Sequence, residues 1–238
     1  MSDISTNIDV VRNMIARSIA KANRSANDVV LVAVTKNVDV DRIISAAACG
    51  IDVLGENRVQ EARDKKHLVK SDIQWHLIGH LQKNKVKLAC ELFDMIHSVD
   101  DIRLLEEINK QSASLGKRTN VLLQTNIAKE KSKFGMDSSS LKGVLCESTK
   151  YEHIAIKGIM TMAPQADNIE DVRWVFRDAK KLYDELSTLR LSNVEFVHLS
   201  MGMSHDYPVA IEEGATMIRV GSAIFKGTDM EQEKSNDR

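Results

Sequence analysis

Lys36 closes an apolar run, Leu-Val-Ala-Val-Thr, so its side chain emerges where a buried strand ends. A lysine partly desolvated at such a place has a depressed pKa and can act as an amine nucleophile toward an aldehyde. Two other segments have the composition of an anion cradle. Ser200-Met201-Gly202-Met203-Ser204 offers hydroxyls, a glycine for close backbone approach, and a helix start near Tyr207. Gly221-Ser222 offers the same after the next apolar run. Singly, each is an ordinary strand-to-helix turn, and the lysine an ordinary solvated one. Together they describe a site for a phosphorylated aldehyde held as a Schiff base. Arg219 sits inside the apolar run Met217–Val220, where a buried charge needs a partner. It reads either as half of an ion pair across the core or as a cation set against a ligand ring. His76 and His80 are four apart, but on a strand and its turn. A metal pair at that spacing needs a helix, so His76 reads as a hydrogen-bonded pocket or core residue. Met201 and Met203 are candidates to line a pocket.

These residues need a frame that gathers them. Short apolar runs rich in β-branched residues occur at 29–34, 51–54, 75–78, 95–99, 120–125, 156–161, 194–199 and 217–220. Helical patterns fill the intervals: 39–49, 56–68, 82–92, 100–115, 138–150, 169–189 and 207–213. Alternation of this kind predicts a parallel α/β sheet. Eight units in 238 residues match a closed (β/α)8 TIM barrel, which typically takes ~250. An open doubly wound sheet is the alternative, weakened because no G-x-G-x-x-G follows the first strand. Ile4, Ile8, Val11, Met14, Ile15 and Ile19 form one stripe of an extra N-terminal helix. In a barrel the active face lies at the C-terminal strand ends, and the loops after strands 7 and 8 often hold phosphate. Lys36, both cradle segments and Arg219 all fall at such ends. No linker interrupts the chain, so one domain is expected over 1–227, followed by a frayed polar tail, 228–238.

Composition narrows the function classes. Lys and Arg number 33 and Asp and Glu 34, a formal charge of −1. That argues against a general nucleic-acid binder, whose affinity comes from phosphate neutralisation. The run Lys83, Lys85, Lys87 reads as a solvated helix face, since no aromatics interleave it. No stretch approaches the ~20 apolar residues that span a bilayer, and the N-terminus lacks a signal-peptide pattern. Cys49, Cys90 and Cys146 are widely spaced and odd in number. They read as free thiols in a reducing cytoplasm.

Eight segments resemble, in order, the pyridoxal phosphate homeostasis protein family: LVAVTK (31–36), GENRVQE (55–61), WHLIG-HLQKNK (75–85), HSVD (97–100), SKFGM (132–136), KGIMTM (157–162), LSMGMS (199–204) and IRVGSAIF (218–225). The resemblance covers about residues 28–226. It implies an alanine-racemase-like barrel standing alone, with pyridoxal 5'-phosphate (PLP) on a lysine that matches Lys36. The family's phosphate-binding segments match Ser200, Met203, Ser204, Gly221 and Ser222. Its ring-facing arginine matches Arg219, and Asn57 and His76 match pocket positions. Lys226 departs from the pattern, standing between Phe225 and Gly227 where the family reads Ile-Phe-Gly; His205 and Pro208 bear on the helix start beside the phosphate. The implied role is intracellular PLP homeostasis: holding PLP as an aldimine on Lys36 and releasing it, without enzymatic turnover. An arginine at the ring disfavours a protonated pyridine nitrogen and so weakens the electron sink. Racemases of this barrel also need a second base from an appended β-domain, which is not expected after strand 8. The expected partners are PLP and apo PLP-dependent enzymes as recipients, and a monomer is expected. The competing readings are a PLP-dependent amino-acid racemase or decarboxylase, and a barrel enzyme forming a Lys36 imine with a sugar phosphate.

Overall fold

The computed structural model describes residues 3–25, 28–69, 72–130 and 134–226. Eight parallel strands close into a barrel in sequence order. They are β1 (Val30–Val34), β2 (Val53–Glu56), β3 (Gln74–Leu77), β4 (Met95–Val99), β5 (Thr119–Gln124), β6 (Ile154–Met160), β7 (Val194–Ser200) and β8 (Met217–Val220). Closure is made by β1 against β8, with Val32 opposite Arg219 and Ala33 opposite Val220. The extra helix is α1 (Ile4–Lys21), capped by the Asp3 carboxylate on the Ser5 N–H. The stripe set by three- and four-residue spacing buries Ile8, Val11 and Ile19. The connecting helices are α2 (Val40–Ala48), α3 (Val59–Lys66), α4 (Val86–Leu92), α5 (Ile102–Ser114), α6 (Leu141–Ser148), α7 (Arg173–Ser187), α8 (Tyr207–Glu212) and α9 (Ser222–Phe225).

The core has two layers, as a barrel wrapped in helices requires. The larger lies between strands and helices. The smaller fills the barrel with Val32, Val53, Met95, Leu122, Met160 and Met217. Side chains alternate along a strand. Met217 faces inward, so Arg219 on the same strand must as well.

Several boundaries differ from the sequence reading. The second strand runs to Glu56 rather than ending at Leu54, which puts a carboxylate into the sheet. Three helices expected from 82, 138 and 169 each open with a single 3-10 turn, at Lys83–Lys85, Ser138–Ser140 and Ile169–Val172. Short 3-10 turns are common at helix N-termini. Gly227 and the expected tail, 228–238, lie outside the described residues. Among the described residues no helix is long and apolar enough to cross a membrane.

Candidate active face of the barrel

Lys36 stands two residues beyond β1, exposed, at the C-terminal mouth. The turn that carries it is tightly held. Thr35 is buried; its N–H donates to the Gly55 carbonyl at 2.9 Å and its hydroxyl to Glu56 Oε1 at 2.7 Å. Lys65 of α3 reaches back over the turn. Its ammonium donates to Glu56 Oε1 and to the Thr35 carbonyl, each at 2.8 Å. The Asn37 N–H, just past the lysine, donates to Glu61 Oε2 at 3.3 Å. Glu56 is fully buried, and a charge there is tolerable only because it is paired. So Thr35 and Asn37 are clamped while Lys36 between them projects free. Sequence reasoning missed Glu56 and Lys65, because both fall in the expected helical pattern 56–68, where a charged residue reads as a solvated one.

The two cradle segments meet. The Gly221 N–H donates to Ser204 Oγ at 3.1 Å, joining the loop after β7 to the loop after β8. A Cβ on Gly221 would stand 3.1 Å from Val34 Cβ, so this junction also lies against the end of β1, beside the Lys36 turn. Gly202 has φ +90, and a Cβ there would come within 2.6 Å of Ala210 Cβ. Only glycine allows the loop to lie this close on α8. Ser222 is exposed and opens α9, whose first N–H groups have no carbonyl within the helix to bond. The Met203 N–H is already committed, donating to Asp206 Oδ1 at 2.6 Å. Pro208 sits in the first turn of α8, where its missing N–H costs nothing, and Lys226 caps α9.

Below the mouth runs a buried polar chain. Arg219 donates to Ser200 Oγ at 2.6 Å and to the Thr161 carbonyl at 3.0 Å. Ser200 Oγ lies 3.2 Å from His97 Nδ1, and His97 Nε2 lies 3.1 Å from His76 Nδ1. A guanidinium only donates, which fixes the direction of both Arg219 bonds. Ser200 accepts from Arg219, while the direction of the Ser200–His97 and His97–His76 contacts is set by the ring tautomers. The Ser200 hydroxyl, expected among the phosphate donors, is thus committed to the barrel interior. Among the described residues no carboxylate pairs with Arg219 within 4.0 Å, so the ion-pair reading of it falls. Burial lowers its pKa to about 10, partly offset by Asp206, and it remains a cation at neutral pH. Asn57 occupies the bend after β2, half-buried at the mouth. His97 was not singled out from sequence. The signal was its inward parity on β4, level with His76 and Ser200.

Burial pushes His76 down to about 4 and His97 well below its ordinary value, so both rings are neutral in the fold. An unfolded histidine titrates near 6.5. Between pH 6.5 and 4 the unfolded chain therefore binds protons that the native chain does not, and stability falls as pH falls. His76 alone accounts for about 3 kcal/mol of that loss once pH is below 4. The expected result is a urea midpoint that drops from pH 7 to pH 4.5, with the drop reduced in His76→Gln. An unchanged drop in that variant would remove His76 from the account.

The mouth thus offers an amine, a two-loop cradle and a buried cation on adjacent strands: β1, β7 and β8. These fit a ligand with a carbonyl, an anionic group and a ring bearing an acceptor. The chain matches the family model for the alanine racemase N-terminal domain over residues 9–229. It is 40% identical over 216 residues to a pyridoxal phosphate homeostasis protein of Aquifex aeolicus, covering 90% of this chain and 94% of that one. To the protein of the same name from Escherichia coli K12 it is 33% identical, over 96% and 98%. PipY of Synechococcus elongatus, solved with PLP bound, superposes with a TM-score of 0.81 at 34% identity, over 94% of this chain and all of that one. Alanine racemase of Clostridium difficile shares the fold, with a TM-score of 0.68 at 16% identity, over 90% and 58%. With these matches spanning nearly its whole length, the chain belongs to the pyridoxal phosphate homeostasis proteins, a family built on the alanine racemase barrel.

Proposed function

We propose that the protein holds PLP as a Schiff base on Lys36 and gives it up to apo PLP-dependent enzymes, acting as an intracellular store and not as a catalyst. The observation that carries this reading is the closure of β1 on β8, which sets Lys36, the Ser204–Gly221 junction and Arg219 on one mouth. When bound, PLP supplies an electrophilic aldehyde and an electron-accepting ring. Lys36 would take the aldehyde. Ser204, Ser222 and the N–H groups that open α9 would take the phosphate, with Met203 and Asn57 at the edges of the pocket. Arg219 would face the ring, held in place by Ser200, His97 and His76. The free thiols Cys49, Cys90 and Cys146 suit a reducing cytoplasm. A monomer suffices for this reading, since every residue named is on one chain.

The test compares PLP with pyridoxal, which lacks the phosphate. Charge-assisted hydrogen bonds are each worth roughly 1.5–3 kcal/mol. Ser222→Ala and Ser204→Ala should each weaken PLP binding by about tenfold or more, yet leave pyridoxal nearly unchanged. The loaded wild-type protein should restore activity to an apo-enzyme in solution. Equal losses for both ligands would take these serines off the phosphate, and failure to hand over PLP would end the storage reading.

A further inference from the structure

Asp206 sits at the N-cap of α8. An aspartate there ordinarily accepts a bond from an N–H in the first turn of its own helix. Asp206 makes no such bond, and Pro208, which stands in that turn, has no N–H to give. The carboxylate instead turns back along the chain, and Oδ1 accepts the Met203 N–H at 2.6 Å. The loop after β7 closes around this contact. The N–H groups of Asp206 and Tyr207 both donate to the Met203 carbonyl, at 3.1 and 2.9 Å. Asp206 is 7% exposed. Burial pushes its pKa up, against the opposing pull of the Met203 N–H, Arg219 and His205. Arg219 acts on it through space, without an ion pair within 4.0 Å.

An amide oxygen would accept the Met203 N–H as a carboxylate oxygen does. It would also spare the chain a buried charge without a close counter-ion, which is costly. What a carboxylate adds here is negative charge, and it adds it to the cradle. Met203 and Ser204 belong to one cradle loop, and Ser204 Oγ accepts the Gly221 N–H of the other. Asp206 Oδ1 is one hydrogen bond from Met203, so the charge stands within about 7 Å of the Ser204 backbone. Two N–H groups of the cradle are thereby committed inside the protein: Met203 to Asp206, and Gly221 to Ser204. The hydroxyl hydrogen of Ser204, the hydroxyl of Ser222 and the N–H groups that open α9 remain for an anion.

We propose that Asp206 sets the strength of the phosphate site: its carboxylate repels a phosphate dianion seated in the cradle and withholds the Met203 N–H from it, which keeps the ligand releasable. The inference rests on the phosphate reading of the cradle given above. Arg219 attracts an anion from the β8 side, and Asp206 opposes it from the β7 loop. At ~7 Å a carboxylate and a dianion repel enough, even at the dielectric constant of water, to weaken binding about tenfold at low salt. The carboxylate also holds the loop in shape through Met203. One side chain therefore builds the cradle and limits its grip.

The test is the affinity of inorganic phosphate for the full-length protein free of PLP, measured by calorimetry at low salt and pH 8, where phosphate is mostly a dianion. Asp206→Asn keeps an acceptor for the Met203 N–H and removes only the charge. It should bind phosphate about tenfold more tightly than wild type. PLP should gain likewise, while pyridoxal, which lacks the phosphate, stays within about twofold. A damaged loop loses affinity, so a gain cannot come from misfolding. Unchanged or weaker phosphate binding in Asp206→Asn, with Ser222→Ala still weakening it, would make Asp206 a structural part of the loop and overturn the proposal. An equal gain for pyridoxal would move the repulsion away from the phosphate, with the same consequence. Phosphate affinity that Ser222→Ala leaves untouched would instead overturn the cradle reading itself.

Discussion

Lys36→Ala, incubated with PLP and reduced with borohydride, should carry no label at any single residue, while wild-type protein is labelled at Lys36 alone. The near-visible absorbance of the loaded protein should vanish with the substitution. The nearest competitor is Lys65, which crosses the same turn. Its ammonium, however, is bound at 2.8 Å to both Glu56 Oε1 and the Thr35 carbonyl, and its side chain is only 13% exposed. An amine so committed is a held cation, not a nucleophile, because attack requires a free lone pair. Lys36 is exposed, and among the described residues no carboxylate or carbonyl holds its ammonium. Fold stability should survive the substitution, since the clamp on Thr35 and Asn37 uses no atom of the Lys36 side chain. A variant that still fixes PLP at one specific residue after reduction would show that the amine had been misassigned.

The parts of this architecture visible in the sequence are those set by local periodicity. Each strand was found because its apolar run is bounded by turn residues, and Met95–Val99 and Met217–Val220 coincide with the expected ranges to the residue. α1 was found because its stripe keeps a helical period over 18 residues. Glu56 could not be read this way. Its place inside β2 depends on Thr35 and Lys65, 21 and 9 residues away, which supply the partners that let a carboxylate be buried. Ser200 was read as a strand-end hydroxyl and so as a phosphate donor. Its actual partners, His97 and Arg219, come from two other strands, and only the closed barrel brings them together. Ser204 and Gly221 were legible as a pair because barrel topology, once inferred, already makes their loops neighbours. Local pattern gave the frame, while pairings across the barrel decided which polar groups were already spent and which were left for a ligand.

Wild-type protein loaded with PLP should not racemise or decarboxylate L-alanine, D-alanine or other common amino acids at enzymatic rates, and the reason lies in the chain that ends at Arg219. The guanidinium is 4% exposed, with no carboxylate within 4.0 Å among the described residues. Two of its N–H groups are used by Ser200 Oγ and the Thr161 carbonyl, leaving others for an acceptor. The histidines behind Ser200 are neutral, and Asp206, the carboxylate that partly offsets the burial of Arg219, is not paired with it within 4.0 Å, so the guanidinium keeps its charge. A pyridine nitrogen set against such a cation keeps its lone pair as an acceptor, since protonating it would face two positive charges across a low-dielectric pocket. An unprotonated ring accepts electrons poorly, and carbanion chemistry on PLP depends on that acceptance. Exchange of one amine for another at the aldehyde needs no carbanion, so the proposed storage and release do not depend on that electron acceptance. The measurement is chiral chromatography of each amino acid after prolonged incubation with loaded protein, alongside handover of PLP to an apo-enzyme. Turnover near ~1–10³ s⁻¹ on any amino acid would mean that Arg219 does not control the ring nitrogen and that the protein is an enzyme.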